Sequence, residues 1–265
     1  MRVVVTRVQP QATVWAKAMM ENGYQVLLLP LIDMTALPDT RALTQAWQEW
    51  PTYHAVMFVS ASAVHYFFAS KPAATPYLQA QYAIKTRVWV TGPGTRSAVL
   101  AQGILAQQID APELALQQFD SEALWQQVHH TLHRGDRVLI VRGTKRSPDS
   151  GALLSQGRDW LAQQVQALGG QVQCVAAYVR LLPQWSMSQC EQARQAASDG
   201  SVWLLGSVEA VGNLQTLLSQ QDWTQAQAVV THPRIASAAR SLGFGRVTSC
   251  AACLSAVLTS VECLS

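Results

Sequence analysis

The amino-acid sequence predicts an α/β protein built from two similar parallel-sheet domains. Apolar runs of strand length alternate with stretches of helical period along the 265 residues. A strand-turn-helix signature, VTGPGTRSAVLAQG at residues 90–103, returns without a gap as VTHPRIASAARSLG at residues 230–243. A chain of this length can form two domains that each bury a core. Regular alternation of strands and helices implies parallel sheets with helices on both faces.

The predicted elements of the first half follow from the spacing of apolar residues. A run of three valines starts the chain as a strand, and the helical period that follows stops before Gly23. The segment PLIDMTALPD contains two prolines and favours an extended linker, because a residue that precedes proline avoids the helical region. The expected order is a strand at 3–5, a helix at 11–21, a strand at 25–29, the linker, a helix at 41–50, a strand at 55–59, a helix from about 61, a strand at 87–90 and the helix of the first signature.

The second half repeats this order. The expected elements are a helix from about 121, a strand at 137–141, a helix at 158–168, a strand at 171–177, the extended segment AAYVRLLPQW, a strand at 201–205, a helix from 207, a strand at 228–230, a helix from 233, a short strand at 246–248 and a final helix. A second echo, VSASAV at 59–64 and GSVEAV at 206–211, precedes the two copies of the signature. Two similar domains are the simplest explanation.

Composition and charge exclude several classes of partner. The formal net charge is +3, only 13% of residues are charged, and no block of lysines and arginines occurs, so we expect no nucleic-acid partner. The opening MRVVVTR resembles a strand and lacks the regions of a secretory signal, so we expect a cytoplasmic protein. Residues 250–264 are interrupted by polar side chains and are too short to span a bilayer. We expect no membrane partner and a monomer.

Cysteine and histidine residues do not support a metal site. Cys250 and Cys253 form a single C-x-x-C, but no second pair completes a zinc site, so we expect packing or surface thiols. His129, His130 and His133 share one predicted helix in a polar stretch that ends in HRGD, and we interpret them as a solvated helix end.

Nucleotide-binding motifs are incomplete. TGPGT contains G-x-G, but no third glycine follows three residues later, and no acidic residue is placed to bind a ribose. The sequence also contains no phosphate-loop lysine. A nucleotide cofactor therefore has little support.

Small and hydroxyl side chains stand where predicted strands give way to helices. They are Ser60, Thr91, Thr95, Ser207 and Thr231. The first N–H groups of a helix lack intrahelical partners and the helix dipole favours negative charge there, so these positions suit carboxylates or phosphates. Their recurrence at the sheet edge where α/β proteins bind ligands favours a binding role. The alternative is that Ser60, Ser207 and Thr95 only cap their helices.

Several segments together resemble one enzyme family. In chain order they are VTRVQPQATVWAKAMMENGYQVLLLPLI, FVSASAV, VTGPGTRSAVLAQG, VLIVRG, GRDWL, AAYVR and THPRIASAARSLGF. This ordered set resembles the uroporphyrinogen-III synthase family. The resemblance implies two α/β domains joined by a two-stranded linker, with a ligand cleft between them. Residues 1–32 and 182–265 would form one domain, residues 38–176 an inserted domain, and residues 33–37 and 177–181 the linker strands.

The resemblance also implies a reaction. The family's substrate is hydroxymethylbilane, an open-chain tetrapyrrole with acetate and propionate side chains on every ring. The enzyme removes the terminal hydroxyl as water and closes the macrocycle with the last ring inverted, which gives uroporphyrinogen III. No cofactor is implied, because the electron-rich pyrrole expels the hydroxide. Helix N–H groups, hydroxyls and a few arginines would bind the carboxylates.

The matched segments carry the expected site residues. Tyr178 matches the tyrosine of the family's returning strand, at the end of the predicted strand 171–177, and is the expected catalytic hydrogen-bond donor to the leaving oxygen. His232 is the alternative proton source, and packing of the linker is the alternative role of Tyr178. The expected substrate-binding residues are Thr6, Arg7, Ser60, Ala61, Thr91, Gly92, Thr95, Arg142, Ser207, Thr231, His232 and Arg234.

An insertion departs from the family pattern. Residues 144–156, TKRSPDSGALLSQ, separate the arginine and glycine of VLIVRG from GRDWL. Their serine, glycine and basic residues predict a mobile loop that projects toward the cleft. Lys145 and Arg146 could meet substrate carboxylates there, and the alternative is a solvated loop without a role.

A second functional class stays open on the residues alone. Two α/β domains hinged by paired linkers also describe modules that close on a small anion or another solute without catalysis. The ordered set of motifs and the missing export signal favour the enzyme.

Overall fold

Parallel strands in two sheets form the centre of the fold in the computed structural model, which describes residues 1–9, 11–73, 85–113, 120–146, 153–154 and 160–264. The strands are β1 (Arg2–Val5), β2 (Gln25–Leu28), β3 (Asp33–Ala36), β4 (Ala55–Phe58), β5 (Arg87–Val90), β6 (Ile109–Asp110), β7 (Arg137–Arg146), β8 (Leu153–Leu154), β9 (Gln171–Leu181), β10 (Val202–Leu205), β11 (Gln227–Val230) and β12 (Arg246–Ser249). The helices are α1 (Gln11–Glu21), α2 (Arg41–Gln48), α3 (Ala61–Ala69), α4 (Pro93–Ala101), α5 (Ser121–Val128), α6 (Trp160–Ala167), α7 (Met187–Ala196), α8 (Val208–Leu217), α9 (Pro233–Leu242) and α10 (Leu254–Glu262). The predicted α/β class with parallel sheets is confirmed.

The described residues fall into two units. Met1–Met34 and Leu181–Ser265 form one, which we call the terminal unit, and Thr35–Arg180 form the other, the internal unit. Strand β3 lies beside β9 in the sheet order. The domain limits predicted from the sequence stay a prediction.

The sheet of the terminal unit has the order β12-β11-β10-β1-β2, and each neighbouring pair is parallel. Val5 lies opposite both Leu204 and Leu28, so β1 and its two neighbours end at one edge of the sheet. Strand β10 is buried at every position, which explains why its sequence VWLL is a continuous apolar run instead of an alternating one.

The sheet of the internal unit has the order β3-β9-β7-β4-β5-β6, with β8 paired antiparallel to β7. Strand β4 is central and fully buried. Phe58 at its end lies opposite Val90, the last residue of β5, and opposite Val141 of β7, so the segments that follow β4 and β5 start side by side, next to the continuing strand β7.

The repeated signature corresponds to a repeated junction geometry. The residue before each of four helices is fully extended: Ser60 has φ −163° and ψ 162°, Gly92 −162° and 167°, Ser207 −160° and 156°, and His232 −158° and 143°. Similar sequences therefore form the same strand-to-helix turn in both units. Helix α9 ends at Leu242 and is followed by Gly243, whose φ of 107° is left-handed backbone that favours glycine.

Several elements differ from the prediction. Helix α7 was not predicted, because its buried face consists of Ala193 and Ala196 and gives a weak apolar period. Strands β7 and β9 are longer than predicted, since their pairing continues as far as Lys145 and Arg180. The predicted helix at 41–50 ends at Gln48 and is followed by a 3-10 turn that contains a proline.

The histidine prediction was wrong in one respect. Helix α5 ends at Val128, His129 and His130 belong to a 3-10 turn, and His133 lies beyond that turn, so the three do not share one helix. All three are exposed to solvent, as the interpretation of a solvated end requires.

Candidate active site

A β-bulge sets the direction of Tyr178. Arg142 of β7 pairs with Ala176 of β9, but the next residue, Gly143, pairs with Tyr178, so Ala177 is the extra residue of β9. A bulge of this kind redirects the side chains that follow it. Tyr178 lies within β9 and not at a strand end, which corrects the predicted position.

The ring of Tyr178 is held by contacts within the internal unit. It stacks on Tyr66 of α3 with ring centroids 5.3 Å apart and an interplanar angle of 23°. It also lies against Gly143, where a Cβ atom would be only 2.5 Å from the ring carbon Cζ. Only 3% of Tyr178 is exposed. The phenol is therefore fixed by packing before any ligand binds.

The phenol oxygen of Tyr178 contacts the start of helix α3. Its Oη lies 3.3 Å from Oγ of Ser60, and either atom can donate. Ser60 Oγ already accepts a hydrogen bond from the Ala63 N–H at 3.1 Å. If Ser60 donates its own proton to the phenol oxygen, the proton of Tyr178 is available to a third oxygen. The N–H groups at the helix start also favour negative charge nearby.

Other predicted site residues of the internal unit lie at neighbouring strand ends. Ala61 opens α3 directly after Ser60, and Thr91 and Gly92 follow β5, with Gly92 as the residue that precedes α4. Thr95 is buried in the first turn of α4, so it is not the N-cap that the capping alternative assumed.

A cavity of about 280 Å³ opens beside these strand ends. It was not predicted, because two of its polar residues, Asp120 and Arg180, come from distant parts of the chain. Its lining consists of Met57, Val59, Thr91, Asp120, Ser121, Ile140, Arg142, Gly143, Leu161 and Arg180.

Arg7 is a cation that follows β1, at the carboxyl edge of the terminal sheet. Its guanidinium lies 3.8 Å from the ring centre of Trp15 and donates to Oε1 of Gln11 at 3.1 Å. A Cβ atom at Gly206 would lie 3.8 Å from its Cζ, which places the charge beside the loop that leads into α8. Burial lowers the pKa of Arg7 to about 10, and the Cys250 thiol acts in the opposite direction. A desolvated cation of this kind favours an anionic ligand.

Thr6 and Ser207 have defined partners in the same unit. The Thr6 hydroxyl is buried and donates to the carbonyl of Leu204 at 2.5 Å, so it fastens β1 to β10. Ser207 caps α8 by accepting from the Ala210 N–H at 3.0 Å. The serine caps that the sequence offered as an alternative are thus present, and capping leaves other N–H groups of the first turn for a ligand.

The second signature places His232 at the start of α9. Its Nδ1 accepts from the Arg234 N–H at 3.1 Å, so in this arrangement only Nε2 carries a proton. His232 and Arg234 are exposed, and Thr231 is partly buried directly before them.

Part of the predicted insertion consists of paired strands. Residues 144–146 extend β7, and Lys145 pairs antiparallel with Leu154 of β8, which corrects the expectation of a loop over this part. The rest of the insertion, the side chain of Arg146 and the start of GRDWL lie outside the described residues.

The cysteine pair occupies the end of the terminal sheet. Cys250 packs against the core cluster that includes Val3 and Val257, and Cys253 precedes α10. No group of three His, Cys, Asp or Glu side chains able to hold a metal occurs within the described ranges. Among these residues no helix has the length and apolar character needed to cross a membrane.

Comparison with known proteins gives consistent matches. A family model described as Uroporphyrinogen-III synthase HemD matches residues 13–252. The structure of uroporphyrinogen-III synthetase from Helicobacter pylori is similar at 12% identity with a TM-score of 0.59, over 100% of both chains. A mutant uroporphyrinogen III synthase from the extremely thermophilic bacterium Thermus thermophilus is similar at 14% identity with a TM-score of 0.56, over 100% of this chain and 98% of that chain. At these identities the two structures show a shared fold.

Proposed function

The chain belongs to the uroporphyrinogen-III synthase family, and we propose that Tyr178 assists the family's reaction by donating a hydrogen bond to the departing hydroxyl. The protein is a hydro-lyase of tetrapyrrole biosynthesis that acts on a tetrapyrrole substrate. It closes hydroxymethylbilane with loss of water and inversion of the terminal ring. The family match decides against a solute-binding module without catalysis.

The reaction requires little covalent participation by the protein. The pyrrole nitrogen supplies electrons that break the carbon–oxygen bond of the terminal CH₂OH, which leaves an azafulvenium cation and a hydroxide. The hydroxide takes one proton and leaves as water. A ring carbon attacks the cation to form a spiro intermediate, which rearranges to the macrocycle with the last ring inverted and releases one proton, so that the proton taken up by the hydroxide is balanced. The site must exclude water from the cation and select the attacking carbon.

The contact between Tyr178 and Ser60 supports the proposed donor role. A phenol carries one O–H group, which can donate a hydrogen bond to the leaving oxygen. Ser60 can donate its own hydrogen bond to the phenol oxygen of Tyr178 at 3.3 Å, which leaves the phenol proton for the leaving oxygen. We therefore assign Tyr178 to assistance and not to full proton transfer, which water or His232 can complete.

The carboxylates of the substrate need cations and N–H donors. We assign Arg7, Arg142 and Arg234 to charge pairing, and the starts of α3, α4, α8 and α9 to N–H donation. Thr91, Thr95 and Thr231 accompany these helix starts in both units. Cytoplasmic location and a monomeric state stay predictions from the sequence.

Incubation with freshly prepared hydroxymethylbilane tests the function directly. The type I isomer forms spontaneously without ring inversion, so the measured quantity is the ratio of type III to type I product. We expect type III product in proportion to enzyme concentration. Type I product alone from correctly folded protein would contradict the proposed function.

A further inference from the structure

The cavity of the internal unit has a size and a lining that the proposed reaction mechanism does not explain. Its volume of about 280 Å³ lies just below the range of about 300–1,000 Å³ for pockets that bind whole small molecules. A group of the size of one substituted ring fits such a space, whereas a complete tetrapyrrole does not.

Much of the cavity wall consists of apolar side chains. Met57, Ile140 and Leu161 are buried core residues, and Val59, 37% exposed, is the apolar residue in contact with solvent. These side chains suit the faces of a flat ring, because a small-molecule pocket is mostly apolar with a few polar groups that fix orientation.

Two arginines supply positive charge to this apolar space. Arg142 lies on β7 and Arg180 on the adjacent strand β9, and both line the cavity. A guanidinium presents paired N–H donors that match the two oxygens of a carboxylate.

An acidic residue of the lining adds a complementary acceptor. Asp120 uses Oδ1 to cap α5 by accepting from the Ala123 N–H at 2.9 Å. A carboxylate accepts several hydrogen bonds at once, so a ring N–H can share Asp120 with its protein partners. A pyrrole has one N–H donor, two apolar faces and, in this substrate class, carboxylate arms.

From these features we propose that the cavity is a subsite for one pyrrole ring of the tetrapyrrole, with its carboxylate arms on Arg142 and Arg180 and its N–H directed to Asp120. The assignment rests on the proposed function. It identifies Arg180 and Val59 as residues that determine substrate affinity, beyond those that the sequence indicated. The ring held here is positioned at the ends of β4 and β5 and beside the middle of β7, next to the Gly143 backbone on which Tyr178 packs.

A methionine in the cavity wall provides a direct probe. The protein is labelled with ¹³C at the methionine methyl groups, and the resonance of Met57 is assigned among the six methionines with the Met57→Leu variant. The probe ligand is a monopyrrole that carries one acetate and one propionate. We expect the ring current to shift the Met57 methyl resonance saturably in the wild type, and Arg180→Gln to weaken this binding roughly ten- to hundredfold.

Steady-state kinetics supply the second measurement. Val59→Trp fills the cavity mouth and Arg180→Gln removes a cation, so both are expected to raise KM for hydroxymethylbilane roughly ten- to hundredfold, with a smaller change in kcat. Val14→Trp and Arg240→Gln are matched controls at exposed positions of the terminal unit and should leave KM unchanged.

Failure of the subsite and failure of the function give different results. A Met57 resonance that does not move, or an unchanged KM in both cavity variants, overturns the subsite while type III product still forms. Type I product alone from the wild type would instead overturn the proposed function.

Discussion

The ring of Tyr178 lies against the backbone of Gly143 so closely that a Cβ atom at residue 143 would be 2.5 Å from Cζ and 2.8 Å from Oη of the phenol. Real Cβ atoms do not approach other atoms this closely, so any side chain at residue 143 must displace the ring. Stacking on Tyr66 from α3 limits the alternative positions of the ring.

Gly143→Ala should therefore impair catalysis through Tyr178. We expect kcat to fall roughly ten- to thousandfold and the free energy of unfolding to fall by about 1–3 kcal/mol, because the added methyl group overpacks the site. In a Tyr178→Phe background the same change should lower kcat little further, since the hydroxyl is already absent. Independent, additive losses of kcat in the double variant would contradict this. Gly212→Ala is the control, because a Cβ there meets no atom within 4 Å.

Tyr178→Phe keeps the ring and removes only the donor. We expect kcat to fall roughly ten- to thousandfold with little change in the melting temperature. The matched control is Tyr24→Phe in the terminal unit, which should retain wild-type turnover. Wild-type turnover in Tyr178→Phe would assign the residue to packing and leave the proton to His232 or to water.

The serine caps offer a comparison between the two units. Ser60 and Ser207 make the same capping bond, but only Ser60 also contacts Tyr178. Each Ser→Ala change should cost about 0.5–2 kcal/mol of unfolding free energy. Ser60→Ala should in addition lower kcat, whereas Ser207→Ala should act on KM. Equal effects of both variants on kcat would remove the proposed support of Tyr178 by Ser60.

Local sequence determines much of this site, and strand register determines the rest. The order of strands and helices and the serines before α3 and α8 follow from apolar spacing and turn residues, so the sequence indicates them. The contact between Gly143 and Tyr178 depends on a bulge between two strands that are distant in the sequence, where Arg142 pairs with Ala176 but Gly143 pairs with Tyr178. No local pattern encodes that shift. The cavity likewise brings together Asp120 and Arg180, which are distant in the sequence.

Acid should weaken the ion pair between Glu49 and Arg137 in the internal unit, whose N and O atoms lie 2.6 Å apart. Hydrogen bonds from the side chains of Gln45 and Arg137 lower the pKa of Glu49, against the opposing effect of desolvation. The folded state thus binds this proton less tightly than the unfolded state. The ionised Glu49 side chain therefore stabilises the fold at pH values above its unfolded pKa of about 4.3. This stabilisation is lost as the pH falls through the lower pKa that Glu49 has in the folded protein.

Urea unfolding as a function of pH measures this contribution. Because the pair is partly exposed to solvent, we expect Glu49→Gln to remove about 1 kcal/mol or less at neutral pH, with the difference from wild type vanishing under acid conditions. Glu191→Gln, at an exposed position of α7, should leave the pH dependence unchanged. A constant difference between Glu49→Gln and wild type at all pH values would contradict the assignment.

Arg7 should show opposite effects on stability and on binding. Burial lowers its pKa to about 10, which means that the charged side chain is less stable in the folded protein than in water. Arg7→Gln removes that desolvated charge, so the melting temperature of the protein without substrate should stay unchanged or rise. Loss of a guanidinium that pairs with a substrate carboxylate should meanwhile raise KM roughly ten- to hundredfold.

The KM of Arg7→Lys should fall between the values of the wild type and Arg7→Gln. Lysine keeps the charge but lacks the planar group that stacks on Trp15 at 3.8 Å. Arg194→Gln, at an exposed position of α7, is the control for both measurements. A lower melting temperature with an unchanged KM in Arg7→Gln would show that Arg7 only stabilises the fold through Trp15 and Gln11.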